Sequence, residues 1–393
     1  MRVGDLFSGC GGLSLGLQDA GFHLVVAVEH WAAARKVYSR NFDHPVLDVD
    51  IADVDHTISH LSPFELDMIV GGPPCQDFSA AGTRSEGERA QLTVSFAQIV
   101  AAIKPTWFLF ENVPQAHSSL AWASAKRILR RSGYGISECT LNAAYFGVPQ
   151  SRKRFFAIGR LGEDDHFLEA DLGRKISSHP MTVRDHVGDA FGISYYYRHP
   201  RNWGRKAIFS IDEPSATIRS TNRPVPPGYE AHPTDAGPYK KARPLSASER
   251  AQIQTFPKTF EFLGTTTDQD MMIANAVPVA LAAHVGSAVM RHELARASMP
   301  RNSRFRCWLS NHIGMSERGA GNVASRLRRV CKILKINRLT LPPSATVEQL
   351  QRRPSYRKLS TCVRSQLKRS IVLFDEYQKH SSGVLSQESA AQR

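Results

Sequence analysis

The stretch GGPPCQDFSAAG, Gly71 to Gly82, sets two prolines directly before Cys75. Their rings fix φ and bias the preceding residues toward extended backbone, so the loop is partly ordered before any substrate arrives. A thiol mounted in this way suits a nucleophile, although a cysteine taken alone is more often a small buried hydrophobe. Three further stretches carry groups that could serve it. Glu111 in FLFENVP follows an apolar run, and a carboxyl group at the mouth of an apolar sheet can have its pKa raised until it donates a proton; the plainer reading is a helix-capping acid. QSRKR, Gln150 to Arg154, offers guanidinium groups able to hold a substrate oxygen or the phosphates of a strand, or else forms a basic surface turn. DLFSGCGGLSLGL places Gly9, Gly11, Gly12 and Gly16 at a strand-to-helix turn. Such a turn can hold a dinucleotide, a flavin or S-adenosylmethionine, or can serve tight packing alone.

These residues need a scaffold that brings them together. The first 160 residues alternate apolar runs (MRVGDLF, HLVVAVE, HPVLDVDI, ELDMIVGG, TWFLFENV, RFFAIGR) with helix-like stretches such as GGLSLGLQDAG, WAAARKVYSRNF and AQLTVSFAQIVAAI. That rhythm predicts an α/β fold with a doubly wound, mostly parallel sheet, in which ligands bind beyond the carboxyl ends of the strands. Gly9, Glu29, Asp50, Pro73 to Cys75 and Glu111 all fall at such ends, with Glu29 placed to accept hydrogen bonds from ribose hydroxyls or, equally, to be a solvated acid. Dense proline and the cluster YYYRHPRNWGRK break the rhythm from about 180 to 242. RPLSASERAQIQTFP then carries a helix start, with Ser246 as N-cap and Glu249 three residues on, and VPVALAAHVGSAVMRHEL returns a long apolar helix. The expected organisation is a catalytic domain over 1–178, an irregular recognition domain over 179–257, a returning helix over 258–297 and a basic helical extension over 298–393.

Charge separates the extension from the body. Residues 301–393 hold 19 Lys and Arg against 5 Asp and Glu, which is the whole of the chain's net +14, whereas the first 300 residues hold 31 of each. A polyanion partner, nucleic acid first, and a merely solvated face weigh equally on charge alone. The six cysteines are scattered without a C-x-x-C pair, which argues for reduced thiols and against a zinc site; no metal is expected. No G-x-x-x-x-G-K-[ST] supports nucleotide hydrolysis, and no apolar run approaches the roughly 18 residues of a membrane helix.

In order and separation, DLFSGCGG, GGPPCQDFSAAG, ENV, FGVPQSRKR, RPLSASERAQIQTFP and ANAVP resemble the motifs of the bacterial DNA (cytosine-5)-methyltransferases, over about residues 1 to 295. The resemblance implies the S-adenosylmethionine-dependent methyltransferase fold and methylation of carbon 5 of a flipped-out cytosine in a specific duplex sequence. It implies Cys75 as the thiolate that adds to carbon 6, Glu111 as the acid at ring nitrogen 3, Arg152 at the exocyclic oxygen and fixing the cysteine loop, and Arg154 as a further catalytic residue. It further implies a cofactor pocket of Phe7, Gly9, Gly11, Glu29, Asp50, Pro74 and Asn275, with Asp48 an alternative to Asp50. DNA contacts are expected from Arg89, Gln150, Arg198, Arg201, Arg205 and Thr217, the last in a Thr-aliphatic pair with Ile218. Duplex DNA is the expected partner and a restriction endonuclease encoded separately a further one, for a monomer in the bacterial cytoplasm. The extension departs from the family pattern and shows no endonuclease constellation; a helical module that increases DNA affinity is expected there, with contact to a partner protein as the rival. Alternatives for the whole are a transfer-RNA cytosine-5 methyltransferase, a silent DNA-binding regulator of the same fold, and an oxidoreductase built on the glycine turn.

Overall fold

The computed structural model describes the chain except residues 75–87, 201, 203, 299–301, 337–338, 340 and 392–393, and the helical side chains of 88–90, 296–298, 302–304, 307 and 380–391. Two compact units emerge, 1–290 and 291–393.

In the first unit the strands are β1 (Arg2–Leu6), β2 (His23–Val28), β3 (Val46–Leu47), β4 (Met68–Gly71), β5 (Trp107–Asn112), β6 (Tyr134–Asn142), β7 (Gln150–Ser151), β8 (Lys153–Leu161), β9 (Tyr195–Tyr197), β10 (Ile208–Ser210), β11 (Ser215–Ala216) and β12 (Ala242–Pro244). The main sheet runs β3-β2-β1-β4-β5-β8-β6. Its first five strands are parallel, whereas β8 is antiparallel to both β5 and β6. That exception serves the site, because an antiparallel β8 begins at the edge where β1, β2, β4 and β5 end.

Alternation assigns the two faces. Met68, Val70, Trp107, Leu109, Phe156 and Ile158 join one apolar cluster with Leu13, Leu17, Leu281 and Val285. Ile69, Phe108, Phe110, Phe155 and Ala157 join the other with Phe96, Val100, Trp122 and Leu129. Both faces are covered, so central strands read as continuous apolar runs. Within 266–295 an 18-residue window is apolar enough by length and composition to cross a membrane, yet 72% of that window is buried inside the protein, as in a core segment.

Two expectations need amending. The HPVLDVDI run is a strand only at Val46–Leu47, since Asp50 turns the chain instead: its Oδ1 accepts from Ala52 N at 2.9 Å. YGISECTLN, unremarked among the apolar runs, is the edge strand β6, where Ser137, Glu138, Cys139 and Thr140 interrupt the apolar pattern. Within residues 179–257, β9, β10 and β12 form a small sheet, and β11 pairs with β7. Val183, Tyr196, Ile211, Ile218 and Leu245 share a core with Cys10, Ala34, Val37, Phe256 and Met272.

Gly12 and Gly16 serve packing. On the helix Gly12–Asp19, a Cβ at Gly16 would stand 2.4 Å from Val279 O and 2.5 Å from Ala282 Cβ, and one at Gly12 would stand 2.4 Å from Val277 O. Gly16→Ala should therefore destabilise the protein by about 1–3 kcal/mol despite alanine's better helix propensity, read as a lower urea midpoint at unchanged slope.

Candidate active site

The turn after β1 is bent by three residues in the left-handed region: Phe7 (φ 61), Gly9 (φ 56) and Gly11 (φ 100). Only glycine adopts that region freely, and a Cβ at Gly9 would meet nothing within 4 Å, so the turn opens onto free space there. At Gly11 a Cβ would strike Phe42 instead, at 2.3 Å. Glu29, just beyond β2, ties the turn in place: Gly9 N donates to its Oε2 at 2.8 Å and Trp31 N to its Oε1 at 2.7 Å. A carboxylate accepts about two bonds per oxygen, so each keeps room for a further donor. Asp50 is exposed at the same edge, whereas the carboxylate of Asp48 is taken by Arg35 at 2.7 Å and His30 at 3.2 Å, which favours Asp50 of the two. Asn275 ends the helix Thr266–Asn275 with its side chain exposed.

The other half of the site is built on β5. Glu111 is 7% exposed, and its Oε1 lies 3.0 Å from Arg154 Nε, an ion pair rather than an aligned hydrogen bond. Burial pushes its pKa above the ordinary value, against the opposing pull of Arg154 and then Arg152. Gly72 permits the approach, since a Cβ there would come within 2.9 Å of Glu111 Oε2. Asn112 Nδ2 donates to Pro73 O at 3.1 Å, fastening the strand that carries Glu111 to the loop that leads into Cys75. Pro74, the last described residue of that loop, is exposed. Cys75 itself, the side chain of Arg89, and Arg201 lie outside the described residues.

The two arginines of QSRKR separate in role. Arg152 is 1% exposed, and its guanidinium donates to Ala274 O at 2.7 Å, Ala276 O at 3.2 Å and Ile218 O at 3.3 Å, so it organises the ANAVP turn and the Thr217-Ile218 segment. Arg154 is the one in contact with Glu111. Gln150, expected to touch DNA, is completely buried: its amide donates to Gln254 Oε1 at 2.8 Å and accepts from Ile218 N at 2.9 Å. This corrects the expectation, for a side chain with no solvent access has no face to offer a duplex. Thr217 Oγ1 donates to Ser151 O at 2.9 Å, Arg198 donates to Thr217 O at 2.9 Å, and Arg205 is exposed. Lys206 is engaged by Glu213 at 2.6 Å.

One polar chain was not foreseen. Asp5 Oδ2 accepts from Ser14 Oγ at 2.6 Å, Ser14 Oγ meets Tyr38 OH at 2.7 Å, and Tyr38 OH meets His44 Nε2 at 2.7 Å. Asp5 is buried at the end of β1, and burial raises its pKa from 3.8 to about 7. The signal was a carboxyl group inside an otherwise apolar strand. Cys10 in the glycine turn is a poor nucleophile, because burial pushes its thiol up to about 12.

The sheet order, with its antiparallel β8, and the charged groups gathered at the carboxyl edge define the S-adenosylmethionine-dependent methyltransferase class. Solved structures agree on the fold: S. pombe Dnmt2 methyltransferase superposes with a TM-score of 0.57 at 18% identity, covering 75% of this chain and 99% of that one, and Entamoeba histolytica methyltransferase EhMeth with 0.54 at 16%, covering 75% and 98%. Residues 1–291 match the family model of C-5 cytosine-specific DNA methylase. Type II methyltransferase M.HindV of Haemophilus influenzae is 49% identical over 296 residues, 75% of this chain and 97% of that protein. M.HgiDI of Herpetosiphon aurantiacus, also a type II methyltransferase, is 46% identical over 293 residues, 74% and 95% of the two. The chain belongs to the C-5 cytosine-specific DNA methylase family and is a DNA (cytosine-5)-methyltransferase. Family and fold together imply S-adenosylmethionine as methyl donor, and the open side of Gly9 with the spare acceptor capacity of Glu29 fits an adenosyl group.

Arg152→Ala should leave buried carbonyls without donors and cost on the order of 2–3 kcal/mol in urea unfolding, whereas Arg154→Ala should keep stability within about 1 kcal/mol while lowering methyl incorporation. Asp5 gives a second expectation. Its folded-state pKa lies above its unfolded value, so the folded state holds a proton that the unfolded chain has lost, and stability falls as pH rises from about 4 to about 7. Asp5→Asn should remove that fall, checked by thermal melts across this range.

Proposed function

We propose that this chain methylates carbon 5 of a flipped-out cytosine in a specific duplex sequence through a covalent Cys75 adduct. The observation that carries the reading is Glu111, buried, raised in pKa and paired with Arg154, on the strand that Asn112 fastens to the loop before Cys75. The thiolate of Cys75 adds to carbon 6 as the Glu111 carboxyl gives its proton to ring nitrogen 3, which leaves carbon 5 as an enamine carbon. Arg154 holds the exocyclic oxygen, with Arg152 fixing the backbone behind it. S-adenosylmethionine, when bound, supplies the methyl cation equivalent and leaves as S-adenosylhomocysteine. Loss of the carbon 5 proton to solvent then expels Cys75 as the thiolate, and ring nitrogen 3 returns its proton to Glu111.

On the cofactor side, Glu29 accepts from the ribose hydroxyls, Asp50 from the adenine amine, and Phe7, Gly9, Gly11, Pro74 and Asn275 complete the wall. Residues 179–257 read the duplex, with Arg198, Arg201, Arg205 and Thr217 among the contacts and Arg89 on the cysteine-loop side. Flipping costs roughly a few kcal/mol in lost stacking, offset by contacts in the pocket. The names of the type II relatives support a restriction–modification setting in bacterial cytoplasm, with an endonuclease encoded apart from this chain.

A duplex carrying 5-fluorocytosine at the target position lacks the proton whose loss releases the enzyme, so intact protein should accumulate a denaturation-resistant adduct in the presence of S-adenosylmethionine. Cys75→Ala should form none, and Glu111→Gln should form it about 10²–10⁴ times more slowly. Because only protonated Glu111 donates, the wild-type rate should decline as pH rises through its raised midpoint, a decline that Glu111→Gln lacks. Failure of intact protein to form any adduct would favour a silent DNA-binding protein of the same fold.

A further inference from the structure

The unit 291–393 lies beyond the residues that match the family, and the type II relatives are themselves almost fully accounted for by the first three-quarters of this chain. It has its own core: Phe305, Trp308 and Leu309 from Asn302–Asn311, Val323, Leu327 and Val330 from Glu317–Leu334, and Leu367, Ile371 and Phe374 from Thr361–Ala391 form one apolar cluster. Phe305 packs its ring on Phe374 at 5.5 Å, joining the first and last of these helices. The apolar positions are thereby consumed inside the bundle. Exposed large hydrophobic residues among those described in this unit are Leu294, Ile313, Leu341 and Val372, one on each of four different segments.

What remains outside is positive. Of the six acids of this unit, Glu317 faces Arg306 at 3.7 Å, Glu348 holds Arg352 at 2.6 Å, and Asp375 holds Lys379 at 2.8 Å. Arg329, Lys332, Lys335, Arg357, Lys358 and Lys368 are exposed, and no carboxylate among the described residues lies within ion-pair distance of them. Several stand close together in the fold. Arg353 donates to Leu334 O at 3.4 Å, bringing the 352–358 segment to the end of the helix that carries Lys332 and Lys335. Tyr356, buried in the same segment, shares its apolar cluster with Leu367 and Ile371 of the last helix, so that helix is part of the same packing. Like charges gathered from three segments repel one another, and an anionic surface with closely spaced charges would relieve that repulsion.

We propose that this helical unit is a second DNA-binding element, which grips duplex phosphates without regard to base sequence and so raises the residence of the enzyme on DNA. The choice of duplex DNA over other polyanions rests on the family's substrate. A surface of lysines and arginines without an apolar centre suits phosphate contacts rather than a protein interface, whose core is depleted in lysine.

The test uses the full-length protein with two sets of substitutions at exposed positions, Arg329→Gln/Lys332→Gln/Lys335→Gln and Arg357→Gln/Lys358→Gln/Lys368→Gln, with unchanged thermal melts confirming that the bundle is intact. Fluorescence anisotropy would follow binding to a duplex that the wild type methylates and to a scrambled duplex, between 50 and 200 mM salt. The proposal expects both duplexes to be weakened by the same factor, tenfold or more at low salt, and the slope of log Kd against log salt to fall by roughly 2–3, about 0.9 per lost phosphate contact. The turnover number at saturating DNA should stay at the wild-type value, whereas absence of methylation by the wild type itself would count against the catalytic reading separately. An unchanged salt slope with unchanged affinity would overturn the proposal. So would substitutions that spare DNA binding but abolish binding to phosphatidylserine vesicles, or that change the sedimentation of the protein, because the surface would then serve a membrane or a protein contact.

Discussion

Removal of the Glu111 carboxyl group from water is the constraint around which this structure is arranged. A carboxylate without solvent is costly, and two responses are open to it: pairing with a cation or retention of its proton. Both operate here. Arg154 stands 3.0 Å away and Arg152 adds its charge from behind, but burial outweighs them and the pKa remains above its ordinary value. The result is a group still able to give a proton where a normal glutamate would already have lost it. The position depends on chain direction as much as on residue type. Glu111 ends β5, and only an antiparallel β8 delivers Arg152 and Arg154 to that edge; a parallel strand would begin at the far side of the sheet.

Packing around the glycine turn follows from the same economy of space. The helix Gly12–Asp19 lies so close to the segment 277–283 that neither Gly12 nor Gly16 can carry a side chain, which fixes the glycine turn against the ANAVP backbone. Arg152 and Gln254 then bind the carbonyls of that turn, Gln254 through Ile273 O at 2.6 Å and Ala276 O at 3.3 Å. The glycine turn and the edge that carries Glu111 thus share one buried polar framework. A change at Arg152 is felt at both, whereas a change at Arg154 is felt where it meets Glu111.

Much of this was legible from residues alone, for reasons that differ by element. Fully buried parallel strands such as Met68–Gly71 and Trp107–Asn112 announce themselves as apolar runs, and the capping box of Ser246 with Glu249 forms with both reciprocal bonds. Edge strand Tyr134–Asn142 was hidden because half-exposed residues at Glu138 and Cys139 break its apolar pattern. Gln150 and the Arg250–Asp270 pair, both sealed inside, carry side chains that sequence alone reads as surface groups; only the tertiary fold shows that their partners are buried with them. Glycines divide likewise: Gly9 opens onto free space and Gly16 onto another backbone, a distinction that spacing does not encode.

The most direct measurement is the ionisation of Glu111 itself, read as the protonated-carboxyl band in the infrared difference between the wild-type protein and Glu111→Gln across a pH titration. A midpoint clearly above the ordinary 4.5, moving higher still when Arg154 is replaced by alanine, is the predicted result. A midpoint at or below the ordinary value would contradict the account, because the buried acid would then have no proton to give.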